Sequence, residues 1–158
     1  MAAKDTPGVI APPPLIFLGF LFAGFALDAL LPLPLGPSGI YSQLRWIIGA
    51  VLILSGAAGM TFGIRNFMRA DTPVPTRAPT RTLVITGLHG RSRNPLYVSM
   101  FSIYAGIGLL ANTAWIFALL VPLALVIRYG VVAREEVYLD RKFGDDYRAY
   151  KARVRRWL

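Results

Sequence analysis

The sequence predicts an all-α protein that crosses a membrane several times. Hydrophobic residues make up 55% of the 158 residues and charged residues only 16%, whereas an average soluble domain has about 25% charged residues. A chain this short has a large surface to cover with polar groups, and it carries too few of them for a soluble monomer. Four apolar runs and a charged final segment predict four transmembrane helices, the last two forming a hairpin, followed by a C-terminal amphipathic helix.

The first two helices are predicted within residues 14–64, after a tail of residues 1–13. The run over residues 14–35 is long enough to cross ~30 Å of hydrocarbon, and its one charge, Asp28, suits either an interfacial residue or an ion site. The second run, residues 44–64, has glycines at spacings that permit close helix contact, although glycine is also common in membrane helices. These glycines are Gly49, Gly56, Gly59 and Gly63.

Residues 65–94 differ in kind, with six arginines, three prolines and little apolar periodicity. We interpret them as a cytoplasmic loop, and loops beyond about 15 residues in compact proteins are usually functional or disordered. Residues 95–132 are apolar again and are interpreted as a transmembrane hairpin. Pro95 suits the first turn of a helix, Asn112 and Thr113 form the tip, and Pro122 predicts a bend in the second helix.

The distribution of positive charge predicts the topology. With four crossings, 16 of the 17 lysines and arginines fall on the side that holds both termini and the long loop, and only Arg45 falls on the other. The positive-inside rule then places both termini in the cytoplasm, with the protein in the inner membrane if the source is bacterial. Because topology explains the net charge of +9, we expect the bilayer as a partner and no nucleic acid. One histidine and no cysteine leave no Cys/His metal site, so no metal is expected.

Residues 133–158 form the charged cytoplasmic segment. Apolar and aromatic residues recur in it at spacings of 3, 4 and 3, as expected for one face of a helix. These residues are Tyr147, Tyr150, Val154 and Trp157. This pattern favours an amphipathic helix that lies on an anionic membrane surface, and it is also compatible with a helix packed on its own domain.

Polar residues that could carry chemistry gather in two stretches that the hairpin should bring to the same membrane depth. One ends the long loop, where Gly87 and Gly90 allow close backbone approach and Asn94 is a candidate N-cap beside Arg93. The other contains Glu135 and its neighbour Glu136, which could bind a polar ligand or form surface ion pairs. His89, in the loop, could be a polar contact or a base.

The two stretches resemble the signature motifs of integral-membrane methyltransferases of the isoprenylcysteine carboxyl methyltransferase and phospholipid (phosphatidylethanolamine) N-methyltransferase families. The first motif covers residues 82–87 and then Arg-Asn-Pro-Leu-Tyr at residues 93–97. The second is Glu-Glu at residues 135–136, followed by Phe-Gly and by a Tyr-x-x-Tyr ending at Tyr150. Residues 72–75 resemble the usual lead-in. His89 stands where these families usually have tyrosine.

This resemblance implies methyl transfer from S-adenosylmethionine at the cytoplasmic membrane face. It implies that the cofactor is bound by both motifs, through Thr82, Leu83, Val84, His89, Asn94, Pro95, Leu96, Tyr97 and Glu135. The candidates for the catalytic role are Arg93 and Glu136. The candidates for substrate binding are Arg128 and Arg134, which lie on either side of the place where the carboxyl methyltransferases have a substrate-binding arginine.

The expected acceptor is a lipid or a lipid-modified small molecule. The first candidate is an isoprenylcysteine-type carboxylate, which is already nucleophilic and needs only an arginine to orient it. The second is a phospholipid amine, which needs a base to remove a proton, with Glu136 or His89 as candidates. The alternative to an enzyme is a small membrane scaffold or transporter subunit, which would explain the helices and charges but not the motifs.

Overall fold

The computed structural model describes residues 5–36, 40–74 and 79–158, with only the backbone for Ile40. Lys4 and Arg77, which were counted for the topology, and Pro75 of the predicted lead-in lie outside the described residues. The helical segments are α1 (Pro13–Leu30), α2 (Ile40–Arg69), a 3₁₀ turn (Gly87–Gly90), α3 (Pro95–Ala111), α4 (Ala114–Ile127), a π-helical turn (Arg128–Val132) and α5 (Ala133–Arg153). The prediction of an all-helical protein is therefore confirmed for the described part of the chain.

Three of the described helical segments, α1, α2 and the long helix that begins with α4, are apolar and long enough to cross a membrane, while α3 is shorter. Their outward side chains are apolar and exposed, for example Phe22 at 73% and Leu54 at 69%. An exposed apolar surface of this extent is stable against lipid and not against water. The chain is therefore an integral membrane protein with several spans.

Some predicted boundaries were wrong by a few residues. Helix α1 ends at Leu30, five residues before the predicted run ends. Helix α2 continues to Arg69, so the first five residues of the predicted loop are helical. Helix α4 ends at Ile127 and continues as the π-helical turn Arg128–Val132, so the end of the fourth apolar run is not α-helical. The bend expected at Pro122, inside α4, stays a prediction.

One end of the bundle is fixed by contacts between distant parts of the chain. At this end the Leu33 carbonyl accepts from the backbone N–H of Ala114 at 2.8 Å, and the indole N–H of Trp115 donates to the Leu31 carbonyl. Asn112 closes α3 in the left-handed conformation, at φ 53°, which asparagine tolerates better than most residues. Residues 31–35, which follow α1, and the α3–α4 turn therefore lie together, and both described termini lie at the other end, beside the long loop.

Helices α2 and α3 approach closely because glycines face the partner helix. A methyl group on Gly56 would lie 2.7 Å from the Ser99 carbonyl oxygen and 2.7 Å from Cγ1 of Ile103. On the other side of the interface, a methyl group on Gly106 would lie 2.7 Å from the Gly49 carbonyl oxygen. Both are shorter than any ordinary carbon contact. The glycine spacing in α2 therefore marks a packing face, as the close-contact interpretation predicted.

Replacing Gly56 with alanine should weaken this interface. Because the new methyl group meets a backbone carbonyl that cannot swing aside, we expect Gly56→Ala to destabilise the protein by about 1–3 kcal/mol. Thermal unfolding in detergent measures the effect. Gly19→Ala is the matched control, because a methyl group there meets no atom within 4 Å. Equal unfolding temperatures for the two variants would contradict a tight α2–α3 interface.

Candidate functional site

A cavity lies at the end of the bundle that holds the long loop. The cavity volume is about 70 Å³, which is below the usual range of roughly 300–1,000 Å³ for small-molecule sites, so a cofactor-sized ligand would require the cavity to widen. It is lined by residues of the loop, of the first turn of α3 and of α5, together with Phe67 from α2. Segments that are distant in sequence therefore surround one cavity.

Ten of the thirteen predicted site residues line this cavity. They are Leu83, Val84, His89, Arg93, Asn94, Pro95, Leu96, Tyr97, Glu135 and Glu136. Thr82, Arg128 and Arg134 do not line it. The N–H of Thr82 faces the hydroxyl of Thr72, the Arg128 guanidinium lies over the Tyr129 ring, and Arg134 donates to the Gly8 carbonyl at 2.9 Å.

The start of α3 and the start of α5 meet at Glu135. The Tyr97 hydroxyl donates to the Glu135 carboxylate at 2.8 Å, and both side chains belong to residues that are less than 8% exposed. Glu135 lies in the first turn of α5, one helix turn beyond the π-helical segment. π-Helical segments are frequent at functional sites, and this one directly precedes the helix that carries both glutamates.

Glu136 belongs to an ion-pair cluster next to Glu135. Nε and Nη2 of Arg156 donate to its two oxygens at 2.7 and 2.8 Å, and Nη1 of Arg93 lies 3.1 Å from one of them. The Arg93 and Glu136 side chains are only 9% and 13% exposed. Two guanidinium groups favour the ionised form of the carboxylate, and the cluster has a net positive charge.

The long loop is held by hydroxyl groups. The Thr72 hydroxyl accepts the N–H of Arg81 at 2.7 Å, the Tyr138 hydroxyl accepts that of Thr80 at 3.1 Å, and the Tyr150 hydroxyl donates to the His89 carbonyl at 2.7 Å. Because backbone groups away from water need partners, these contacts fix the loop wall of the cavity.

Gly87 has a different role from the one predicted. It adopts φ 60°, and a side chain there would collide with Asn66 of α2. The amide of Asn66 donates to the Thr86 carbonyl at 3.4 Å. The missing side chain therefore lets α2 approach the loop, whereas the sequence analysis expected it to let a ligand approach.

His89 is buried with one free nitrogen. Its residue is 5% exposed, and its ring packs edge-on against Phe67 with 4.9 Å between centroids. Burial lowers the pKa of the His89 imidazole to about 4, so the ring is neutral at physiological pH. A neutral imidazole of this pKa is a weak base there.

Three buried polar atoms without partners line the cavity. Among the described residues, five buried side-chain nitrogen or oxygen atoms lack a hydrogen-bond partner. Three of them belong to cavity residues, namely Oγ1 of Thr80, Nδ1 of His89 and Nε of Arg93. Because an unsatisfied buried polar group costs free energy, their concentration in one cavity marks a place where a polar ligand or ordered water can bind.

Two tyrosines of α5 lie in the site, where the sequence analysis did not place them. Tyr147 and Tyr150 are 2% and 4% exposed and line the cavity, so their interpretation as part of a stripe on the membrane surface was wrong. Helix α5 also ends at Arg153, before Val154 and Trp157. The alternative, a helix packed on its own domain, is the one that the structure contains. The signal in the sequence that could have placed Tyr147 and Tyr150 in the site was the Tyr-x-x-Tyr motif that they form.

Asn94 precedes α3, but its side chain makes no capping hydrogen bond. It donates instead to the carbonyl of Arg156 at 2.9 Å. Arg156, which the sequence analysis did not select, is therefore in contact with residues of both motifs. The available signal for Arg156 was no more than its place in a basic run.

The stability of the protein should depend on His89 in a defined pH range. Because the pKa of His89 is about 4 in the folded protein and 6.5 when exposed, its contribution is complete above pH 6.5. It is lost as the pH falls towards 4, since the unfolded chain then binds a proton that the folded chain does not. The unfolding temperature of the wild type should fall more steeply over this range than that of His89→Gln.

The titration itself can be observed directly, because His89 is the only histidine. In histidine-labelled protein, the single imidazole NMR signal should titrate with a midpoint of about 4. A midpoint near 6.5 would show that the ring is solvated and would contradict its burial.

Comparison with known proteins agrees with this site. A 68-residue stretch is 47% identical to an uncharacterised protein of Haemophilus influenzae, covering 40% of this chain and all of that protein. No solved structure matches the chain. The family model for phospholipid methyltransferases matches residues 44–146, which include most of α2, the loop, the hairpin and both glutamates. The chain therefore belongs to the phospholipid methyltransferase family of membrane methyltransferases.

Proposed function

We propose that the protein transfers a methyl group from S-adenosylmethionine to a lipid-like acceptor at the cytoplasmic membrane face. The observation that carries this proposal is the cavity in which three unpartnered polar atoms and the Glu135 carboxyl group surround one space. When bound, the cofactor supplies an activated methyl group on a sulfonium. The site's own contribution is then positioning and exclusion of water.

The chemical groups that line the cavity match those of such a cofactor. The free Nε of Arg93, in a cluster of net positive charge beside the first turn of α3, suits a carboxylate. Glu135 suits an amino group or ribose hydroxyls, because its carboxylate can accept further hydrogen bonds besides the one from Tyr97. Leu83, Val84 and Leu96 supply an apolar wall, and Thr80 and His89 offer further polar contacts. The remaining predicted residues would support the cofactor site through the shape of the backbone around the cavity. They are Thr82, Asn94 and Pro95.

An isoprenylcysteine-type carboxylate remains the first candidate acceptor. Glu136 is held in an ion pair by two arginines and His89 has a pKa of about 4, so neither is a good proton acceptor. A carboxylate acceptor needs none. A phospholipid amine is the second candidate because the matching family model is that of the phospholipid methyltransferases. Arg128 and Arg134 are proposed to contact the acceptor outside the cavity, at the membrane edge.

The two acceptors can be separated by their products. Purified protein in nanodiscs is incubated with methyl-labelled S-adenosylmethionine and either S-farnesylcysteine derivatives or phosphatidylethanolamine. Mass spectrometry then detects a methyl ester in the first case or an N-methylated headgroup in the second. An enzyme that methylates only the phospholipid would reverse the order of the two candidates.

Cofactor binding should depend on Glu135. We expect wild-type protein to bind S-adenosylhomocysteine in isothermal calorimetry and Glu135→Gln to bind it at least about tenfold more weakly, since the carboxyl group that would bind the amino group or ribose hydroxyls is replaced by an amide. Asp145→Asn is the control, because the Asp145 side chain is 97% exposed on the same helix. Folded wild-type protein that binds neither S-adenosylhomocysteine nor S-adenosylmethionine would support the non-enzymatic alternative, a scaffold or transporter subunit.

The proposed orientation is tested by single cysteines, because the chain has none of its own. A cysteine in place of exposed Asp146 should be protected from a membrane-impermeant maleimide in intact cells. A cysteine in place of exposed Leu33, at the opposite end of the bundle, should be labelled. The reverse pattern would place both termini outside the cytoplasm.

A further inference from the structure

The chain beyond α5 folds back onto the loop. Helix α5 ends at Arg153, and Val154 is extended at φ −116° and ψ 128°. Ser92 and Arg155 form a parallel bridge, in which the N–H of Arg93 donates to the Arg155 carbonyl at 2.9 Å. We call residues 154–158 the strap. It lies against the segment that leads from the loop into α3.

The strap also binds side chains at the start of α3. The Arg156 carbonyl accepts from the amide of Asn94 at 2.9 Å and from the Ser92 hydroxyl at 3.5 Å. The Ser92 hydroxyl in turn accepts the N–H of Asn94 at 3.1 Å. Trp157 packs edge-on against Phe101 of α3, with 6.3 Å between ring centroids. Backbone, amide and aromatic contacts therefore hold the strap in one position.

The Arg156 side chain connects the strap to the cavity. Its guanidinium binds Glu136 through two hydrogen bonds at 2.7 and 2.8 Å, the bidentate arrangement that gives both strength and direction. Glu136 in turn lies 3.1 Å from Arg93, whose other partner is the Tyr147 hydroxyl at 3.4 Å. Arg93 and Glu136 line the cavity, whereas Arg156 does not.

We propose that the strap completes the cofactor site and that Arg156 is a positioning residue, which holds Glu136 and through it directs Arg93 towards the cavity. Without Arg156, Glu136 would be a poorly solvated carboxylate with Arg93 as its main cation, and the two would pair more closely. The free Nε of Arg93 would then turn away from a ligand. The effect on the ligand rests on the proposed function, whereas the effect on Arg93 and Glu136 does not.

The test compares five variants in detergent or nanodiscs. Arg156→Ala removes both hydrogen bonds, and Arg156→Lys keeps the charge without the paired geometry. Arg153→Ala is the matched control, since it removes one exposed arginine three residues earlier. The double variant Glu136→Gln with Arg156→Ala, compared with Glu136→Gln alone, asks whether Arg156 acts through Glu136. S-adenosylhomocysteine affinity and hydrogen exchange of the Arg93 amide are measured for each.

We expect Arg156→Ala to weaken S-adenosylhomocysteine binding by roughly tenfold, as expected for the misplacement of a binding group, and to speed exchange at Arg93. Arg156→Lys should restore part of the affinity, and Arg153→Ala should leave affinity and exchange unchanged. In the Glu136→Gln background, Arg156→Ala should have little further effect. If Arg156→Ala does not fold, the comparison of Arg156→Lys with Arg153→Ala decides.

Two results would overturn the proposal. One is unchanged affinity and exchange in Arg156→Ala. The other is the same loss of affinity in the Glu136→Gln background as in the wild type, because Arg156 would then not act through Glu136. If the wild type binds no S-adenosylhomocysteine, the proposed function fails, and exchange at the Arg93 amide still decides whether Arg156 positions this segment.

Discussion

The polar end of this protein is built around carboxylates that are removed from water beside an apolar bundle. A buried polar group is stable only when it is hydrogen-bonded, and a buried charge only when it is also paired. Glu135 has the Tyr97 hydroxyl, and Glu136 has Arg156 and Arg93. These partners come from the start of α3, the loop and the strap, so satisfying two adjacent side chains draws three segments together and defines the cavity between them.

The close packing of the bundle serves the same site. Glycines such as Gly56 and Gly106 bring α2 and α3 into backbone contact, which fixes where α3 begins. Gly87 allows Asn66, near the end of α2, to reach the loop. The helix that faces lipid is therefore also the support for the loop wall, and a disturbance of the α2–α3 interface should be felt at the cavity.

The site divides into a neutral part and a charged part. His89 is kept neutral by burial and lies against Phe67, whereas the Arg93–Glu136–Arg156 cluster has a net positive charge. A ligand that carries an adenine ring and a carboxylate has matching parts. In the proposed function, this separation of polarity would orient the cofactor within the cavity.

Hydrophobicity and charge along the chain were enough to predict the helices, the hairpin and the meeting of Arg93 and Tyr97 with Glu135 and Glu136, because a bilayer leaves few ways to arrange apolar helices and their polar ends. Periodicity could not decide where α5 lies. An apolar stripe that contains Tyr147 and Tyr150 can pack against lipid or against protein, and only the tertiary structure shows that both residues are buried in the protein. The position of Arg156 and the hydrogen bond from the Asn94 amide to its carbonyl depend on a backbone bridge between residues more than sixty positions apart. No local sequence pattern encodes such a contact.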